Sequence, residues 1–108
     1  MSIMCFNYRG LGDSQVVKDL HGFLWKLSPN VVFLSKTKCS SVEMHAIFTR
    51  LGSYSGIVVD ARGRSGGLAL LWDDTVHLSV LSSSLNQIDT TLCLEADDIT
   101  WRFTGIYG

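Results

Sequence analysis

The sequence predicts an α/β (α+β) domain, in which two helices lie on one face of a mixed sheet and several antiparallel strands follow. Two apolar runs near the N-terminus flank a segment with helical periodicity, which is typical of a βαβ unit. A second helical pattern follows, and after Gly52 the pattern changes to short strands separated by turn residues. The chain has 108 residues, so we expect one domain at most.

The first predicted unit is strand, helix, strand. Residues 3–6 form a short apolar strand, and the glycines at 10 and 12 indicate a turn. Asp13 or Ser14 can cap the helix, and Pro29 disfavours helical geometry at Ser28, so the helix should end near Leu27. Residues 31–34 are continuously apolar, as expected of a strand covered on both faces. The crossover between the two strands should be right-handed. The apolar stripe of the helix comprises Val16, Val17, Leu20, Phe23, Leu24 and Leu27.

The remaining elements are a second helix and a set of short strands. Ser40 or Ser41 can cap the helix and Gly52 can end it. Its buried side should comprise Met44, Ile47, Phe48 and Leu51. The strands are predicted over residues 55–59, 68–72, 76–80, 88–95 and 99–107, with a loop over 62–67 and a hairpin turn at 96–98. Val76, Leu78 and Val80 alternate with polar residues, which predicts one dry face for that strand.

Composition and charge restrict the classes of protein to which the chain can belong. A net charge of -1 gives no electrostatic footprint for nucleic acid, which counts against strong DNA binding by this chain alone. Cys5, Cys39 and Cys93 form no Cys-x-x-Cys pair, which favours three thiols in a reducing compartment over a zinc site. Residues 1–6 lack a signal-peptide pattern, and no apolar run approaches the ~20 residues of a membrane helix. We expect an intracellular protein, cytoplasmic or nuclear, with no membrane partner and no secretion.

Two segments that end predicted strands carry a resemblance to a known family. They read Phe-Asn-Tyr-Arg-Gly-Leu at 6–11 and Phe-Leu-Ser-Lys-Thr-Lys at 33–38. They resemble the N-terminal signature of the endonuclease/exonuclease/phosphatase superfamily, which has the DNase I-like fold. The resemblance is closest to the endonuclease domain of plant non-LTR (LINE-type) retroelements, where the segments read Trp-Asn-x-Arg-Gly-Leu and Phe-Leu-x-Glu-Thr-Lys. Residues 65–72, 86–89 and 101–108 continue the family pattern in order, so the resemblance covers nearly the whole chain.

The resemblance implies the first half of a DNase I-like α/β sandwich, a fold of two packed sheets with helices outside. In that family the active site lies at the top, between the sheets. The family's later motifs, Gly-Asp-x-Asn and Ser-Asp-His, do not occur in this sequence. We therefore expect residues 1–108 to be a truncated domain, the N-terminal half without the C-terminal half. An exposed sheet face would then remain, which predicts self-association or poor solubility.

The resemblance also assigns roles to three positions. Asn7 matches an Asn that helps to hold the metal–phosphate environment, and Tyr107 matches an aromatic hydroxyl close to the substrate phosphate. Judged by residue type alone, Asn7 is more typical of a residue that closes the turn after the first strand, and Tyr107 is at least as typical of an aromatic residue in a sheet. Lys36 occupies the position of the Glu that binds Mg²⁺, the family's cofactor, so a carboxylate ligand is replaced by an ammonium. Because a protonated Lys offers no lone pair, we expect Mg²⁺ not to be bound here.

These observations predict a nuclease-like phosphodiesterase domain of a retroelement, a hydrolase by family, that is catalytically inactive as it stands. The alternative is a non-catalytic binding or structural module that keeps the scaffold. A further alternative is a half-domain whose hydrolysis requires the missing half in trans.

Gly10-Leu11-Gly12 lacks the third Gly and the acidic residue of a dinucleotide fingerprint, so no nicotinamide cofactor is expected. His21, His45 and His77 show no metal-ligand spacing, and Arg9 is interpreted as a solvated residue beside a turn.

Overall fold

The computed structural model describes residues 1–7, 11, 13–61 and 66–107, and in this part of the chain two helices accompany two sheets. This confirms the predicted mixed α+β class with two helices. The elements in chain order are β1 (Ile3–Asn7), α1 (Ser14–Leu27), β2 (Val31–Ser35), α2 (Ser41–Leu51), β3 (Ser55–Val59), β4 (Leu68–Trp72), β5 (Val76–Ser84), β6 (Gln87–Leu94) and β7 (Trp101–Ile106). None of the described helices is long and apolar enough to cross a membrane.

The first sheet is mixed and has the strand order β1-β2-β4-β3. β1 and β2 are parallel and joined by α1, as the βαβ prediction requires, whereas β4 runs antiparallel to both β2 and β3. The second sheet, β5-β6-β7, is antiparallel throughout. The parallel pairing matters for the site, because it brings the C-terminal ends of β1 and β2 to the same edge of the sheet.

Local sequence signals set the ends of both helices. The Gln15 backbone N–H donates to Asp13 Oδ1 over 2.8 Å, so Asp13 is the cap of α1. α1 ends at Leu27, where Ser28 turns into the left-handed region (φ 44°) immediately before Pro29. α2 begins with a capping box, in which Ser40 and Glu43 each accept the other's backbone N–H. This arrangement satisfies two N–H groups that would otherwise lack partners.

β2 is the structural centre of the molecule, because all five of its residues are buried. Val32 and Leu34 pack into the cluster under the helices. Val31 and Phe33 face the opposite way, into a second cluster between the two sheets. The layers are therefore helices, first sheet and second sheet, with β2 contributing to the core on both of its faces. The continuous apolar run of β2 follows from this double burial.

The second sheet departs from the prediction at its first strand. β5 continues to Ser84 and pairs with β6 as a hairpin, and the register shifts between Val80 and Ser82. Val80 is 43% exposed, so its predicted place on the dry face is wrong. The alternation of faces is intact up to this residue, because Val80 still pairs with the buried Thr90, but Val80 lies on the edge strand β5 directly before the register shift. The hairpin turn at Asn86 was not predicted from the serine-rich run at 82–84.

Several large apolar side chains remain exposed, although the two sheets cover each other. Trp101 and Ile106 on the edge strand β7 are 52% and 66% exposed, and Trp25 on α1 is 80% exposed. The outer side of the second sheet carries polar residues such as Asp89, Arg102 and Thr104, which bond to one another. Self-association through an exposed sheet face stays a prediction.

Gly105 allows the two sheets to approach closely. A Cβ at this position would overlap the ring of Phe33, so any larger residue must displace β7 or the ring. We expect Gly105→Ala to lower the free energy of unfolding by about 1–3 kcal/mol, as is usual for an overpacked core. Gly22→Ala is the matched control, because no heavy atom lies within 4 Å of a Cβ added in the middle of α1. The control should raise stability by roughly 0.5–1 kcal/mol. Urea unfolding measures both, and equal effects would contradict the packing described here.

Asp89 joins β6 to β7 through a set of side-chain bonds. Its carboxylate accepts from Arg102 Nε (3.1 Å) and Nη2 (2.6 Å) and from Thr104 Oγ1 (2.8 Å), and the residue is only 7% exposed. The hydrogen bond from Arg102, followed by that from Thr104, lowers the pKa of Asp89 below its ordinary value of 3.8. Ionised Asp89 therefore stabilises the folded state at pH values above the pKa that its carboxyl group has in the unfolded chain.

This stabilisation should be lost as the pH falls through the lowered pKa of Asp89, that is, below about 3.8. We expect the urea midpoint of the wild type to fall with acidification in that window. In Asp89→Asn the midpoint should be lower at neutral pH and should depend less on pH. Asp98→Asn, at an exposed position between β6 and β7, should follow the wild-type profile. A variant Asp89→Asn with the wild-type profile would show that the bonds to Arg102 and Thr104 contribute nothing.

Candidate functional site

The candidate site lies where β1 and β2 end, because these parallel strands finish side by side. Asn7 and Ser35 are register partners in the β1–β2 pair. Lys36 follows directly after Ser35. The exposed Asn7 side chain and the half-buried Lys36 side chain thus belong to the same corner of the sheet. In a sheet of this kind the carboxyl ends of parallel strands are where ligands usually bind.

The backbone after β2 is held in an unusual conformation by fixed partners. Lys36 and Lys38 both have positive φ values, 56° and 55°. Left-handed backbone costs a residue with a side chain roughly 1–2 kcal/mol, so surrounding contacts must maintain it. Thr37, which is fully buried between the two lysines, donates its N–H to Gly67 O over 3.2 Å. Lys38 N–H donates to Gly66 O over 3.0 Å. These bonds tie the Lys36 segment to the chain that leads into β4.

Lys36 meets Tyr107, which follows β7 of the other sheet. The Lys36 Nζ lies 5.5 Å from the centroid of the Tyr107 ring, within the range of a cation–π contact. The backbone of Tyr107 is fixed as well, because its N–H donates to Asn86 O over 2.7 Å. Two of the sequence-predicted residues, one from each sheet, are therefore in contact. The ammonium is held at the junction of the two sheets.

A groove of about 390 Å³ opens beside this corner, between the edge strands β1 and β7. Asn7 and Ser35 contribute polar groups to it. Phe33 and Phe103 also line it, and their rings pack edge to face with centroids 6.2 Å apart. The full set of lining residues is Cys5, Phe6, Asn7, Phe33, Ser35, Phe103, Thr104, Gly105 and Ile106. This lining contains no carboxylate, and it is more apolar than polar.

Sequence reasoning identified Asn7, Lys36 and Tyr107, but it missed the wall that β7 supplies to the groove. Residues 103–106 form that wall. One signal was present: Gly105 interrupts an otherwise regular strand pattern, and such a glycine often marks a close approach of another group. The structure shows that this group is Phe33.

The residues at the corner do not fit a Mg²⁺ ion. Mg²⁺ prefers oxygen ligands, usually with one or two carboxylates. Asn7 offers one amide oxygen, but Lys36 brings a positive charge. In the part of the chain that the structure describes, no three His, Cys, Asp or Glu side chains cluster as metal ligands would. His21 and His45 lie on α1 and α2, and His77 lies on β5. Arg9 and residues 62–65 lie outside the described residues.

The three cysteines are free and differ in their accessibility. Cys5 is exposed and lines the groove. Cys39 is buried, and its Sγ–H donates to Thr37 O over 3.2 Å. Burial, with a smaller contribution from Glu43, raises the pKa of the Cys39 thiol, which makes it a packing residue and a poor nucleophile.

Comparison with known proteins gives structural relatives only. No protein-family profile matches the sequence, and no curated protein matches it. The crystal structure of the AP endonuclease LMAP from Leishmania major is similar with a TM-score of 0.72 at 18% identity, and the alignment covers 98% of this chain and 39% of that one. A humanized TDP2 of D. rerio is similar with a TM-score of 0.61 at 18% identity, covering 96% of this chain and 46% of that one.

At this level of identity the comparisons show the fold alone. Both structures have the DNase I-like fold, so the predicted fold is confirmed. The chain spans less than half the length of either structure. A plant or retroelement origin stays a prediction.

Proposed function

We propose that this chain keeps the scaffold of a metal-dependent nuclease without carrying out magnesium-dependent phosphodiester cleavage itself. The observation that supports this proposal most strongly is the position of Lys36. It directly follows β2, its ammonium lies against the Tyr107 ring, and it neighbours the strand end that carries Asn7. The sequence resemblance assigns this position to a Mg²⁺-binding Glu.

Electrostatics supports the proposal. Exchanging Glu for Lys changes the charge beside the ion by two units. A divalent ion about 5 Å from an ammonium would be repelled by roughly 7 kcal/mol at an effective dielectric constant of ~20. This is an upper value, because Lys36 is half-exposed and solvent screens part of the repulsion. One amide oxygen from Asn7 does not offset a repulsion of this size.

The structural relatives support a nuclease-like scaffold, since one of them is an AP endonuclease. We propose that residues 1–108 correspond to the N-terminal half of such a domain, of the kind found in plant LINE-type retroelements. The resemblance assigns the catalytic Asp and His to motifs that do not occur among these residues. Lys36→Glu alone is therefore expected to leave the chain inactive.

A second candidate function is non-catalytic binding on the retained scaffold. The contact between Lys36 and Tyr107, next to a groove lined by Asn7 and Ser35, favours it. An ammonium contacts a phosphate without activating water. We propose an intracellular location, cytoplasmic or nuclear, because the three cysteines are free.

The proposal predicts no nicking of supercoiled plasmid by the purified chain, with MgCl₂ or with EDTA. Lys36→Glu should behave in the same way, because it restores one carboxylate but supplies no general base. Gel electrophoresis of the plasmid measures the result. The Asn7→Ala variant, purified in the same way, is the control for contaminating nucleases. Nicking that requires Mg²⁺, is abolished by EDTA and is reduced in Asn7→Ala would contradict the proposal.

A further inference from the structure

We propose that the Lys36 corner is a metal-independent anion site that binds a phosphate group of single-stranded nucleic acid, with the adjoining nucleoside in the groove between β1 and β7. This inference rests on the proposed function, because it assigns to the Lys36 ammonium the place of a metal ion. It goes further by naming the ligand and the groups that contact it.

The first argument is that the ammonium is held in place before any ligand arrives. The backbone bonds of Thr37 and Lys38 to Gly67 and Gly66 fix the segment in its left-handed conformation. The Tyr107 ring then restricts the Lys36 side chain. A lysine restricted in this way loses less conformational entropy when it binds an anion than a freely moving surface lysine does.

The second argument is that the held ammonium lacks an anionic partner. Within the described residues the only ion pair joins Arg102 to Asp89, and no Asp or Glu pairs with Lys36. The groove beside it is lined without any carboxylate. A half-buried cation has lost part of its hydration, so an anion that reaches it is bound more strongly than at a fully exposed lysine. Lysine binds phosphate well as a point charge.

The third argument concerns the nucleoside. The groove offers about 390 Å³, which is within the usual size of small-ligand pockets. Asn7 and Ser35, at the strand ends next to Lys36, supply hydrogen-bonding groups to the groove, and Phe103, Cys5 and the exposed Ile106 supply an apolar wall. A groove between two sheets admits one unpaired strand, whereas a duplex keeps its bases stacked inside. Single-strand sites typically combine positive charge with such apolar and aromatic surfaces.

The net charge of -1 predicts that this site binds weakly and through few phosphates. One phosphate contact with a single strand reduces the logarithm of affinity by ~0.7 for each tenfold increase in salt. A shallow salt dependence that disappears with Lys36 is therefore part of the proposal.

The experiment measures fluorescence anisotropy of a short labelled oligothymidylate titrated with the full chain in EDTA. We expect saturable binding, weakened about tenfold in Lys36→Gln, as for the loss of one charge-assisted hydrogen bond. Lys18→Gln, on the exposed side of α1, is the matched control and should bind within about twofold of the wild type. Tyr107→Phe keeps the ring face and should bind almost normally, whereas Tyr107→Leu should bind more weakly. Urea unfolding of each variant confirms that it is folded.

A second measurement follows Cys5, which is exposed and lines the groove. The oligothymidylate should slow alkylation of Cys5 by iodoacetamide in the wild type, but not in Lys36→Gln. Thymidine 5′-phosphate should compete with the oligothymidylate better than inorganic phosphate does, because only the nucleotide fills the groove.

Several outcomes would overturn the inference. These are equal losses in Lys36→Gln and Lys18→Gln, binding that requires Mg²⁺, tighter binding of duplex than of single strand, and equal competition by inorganic phosphate and the nucleotide. Each of these outcomes leaves the absence of plasmid nicking untouched. Conversely, EDTA-sensitive nicking would contradict the proposed function, so the two failures are distinguishable.

Discussion

The burial of β2 on both faces is the constraint on which the rest of the structure depends. Val32 and Leu34 pack against the buried residues of the two helices, and Phe33 packs against Gly105 of the second sheet. A shift of β2 by one residue would exchange its side chains between the two buried faces and remove the Phe33 ring from its place against Gly105, so the packing on both faces fixes the register. The residue after the strand is therefore fixed in space, and that residue is Lys36.

The chemistry of the corner follows from this placement. Parallel pairing brings Asn7 beside the end of β2, and the close approach at Gly105 brings Tyr107 to the Lys36 ammonium. A carboxylate at position 36 would favour a cation at this corner, whereas the ammonium favours an anion. The scaffold can be retained while the sign of the bound charge is reversed, because the fold depends on the apolar residues of β2 and not on residue 36.

Local signals in the sequence were sufficient for most elements and for part of the site. Pro29 marked the end of α1, the run at 68–72 marked β4, and the strand-end pattern marked Asn7 and Lys36. Non-local pairing was not visible: nothing in the sequence places β4 between β2 and β3. The irregularity after Val80 and the β7 wall of the groove depend on contacts across strands, which residue periodicity does not encode.

The most direct test of the central claim, that this corner binds an anion and not a metal ion, is NMR of the Asn7 side-chain amide in ¹⁵N-labelled protein. Resonances are assigned with Asn7→Ala, and the protein is titrated separately with phosphate in EDTA and with MgCl₂. The account predicts that phosphate shifts the Asn7 amide in the absence of metal and that Mg²⁺ alone does not. A shift caused by Mg²⁺ alone, with phosphate effective only in its presence, would contradict the account.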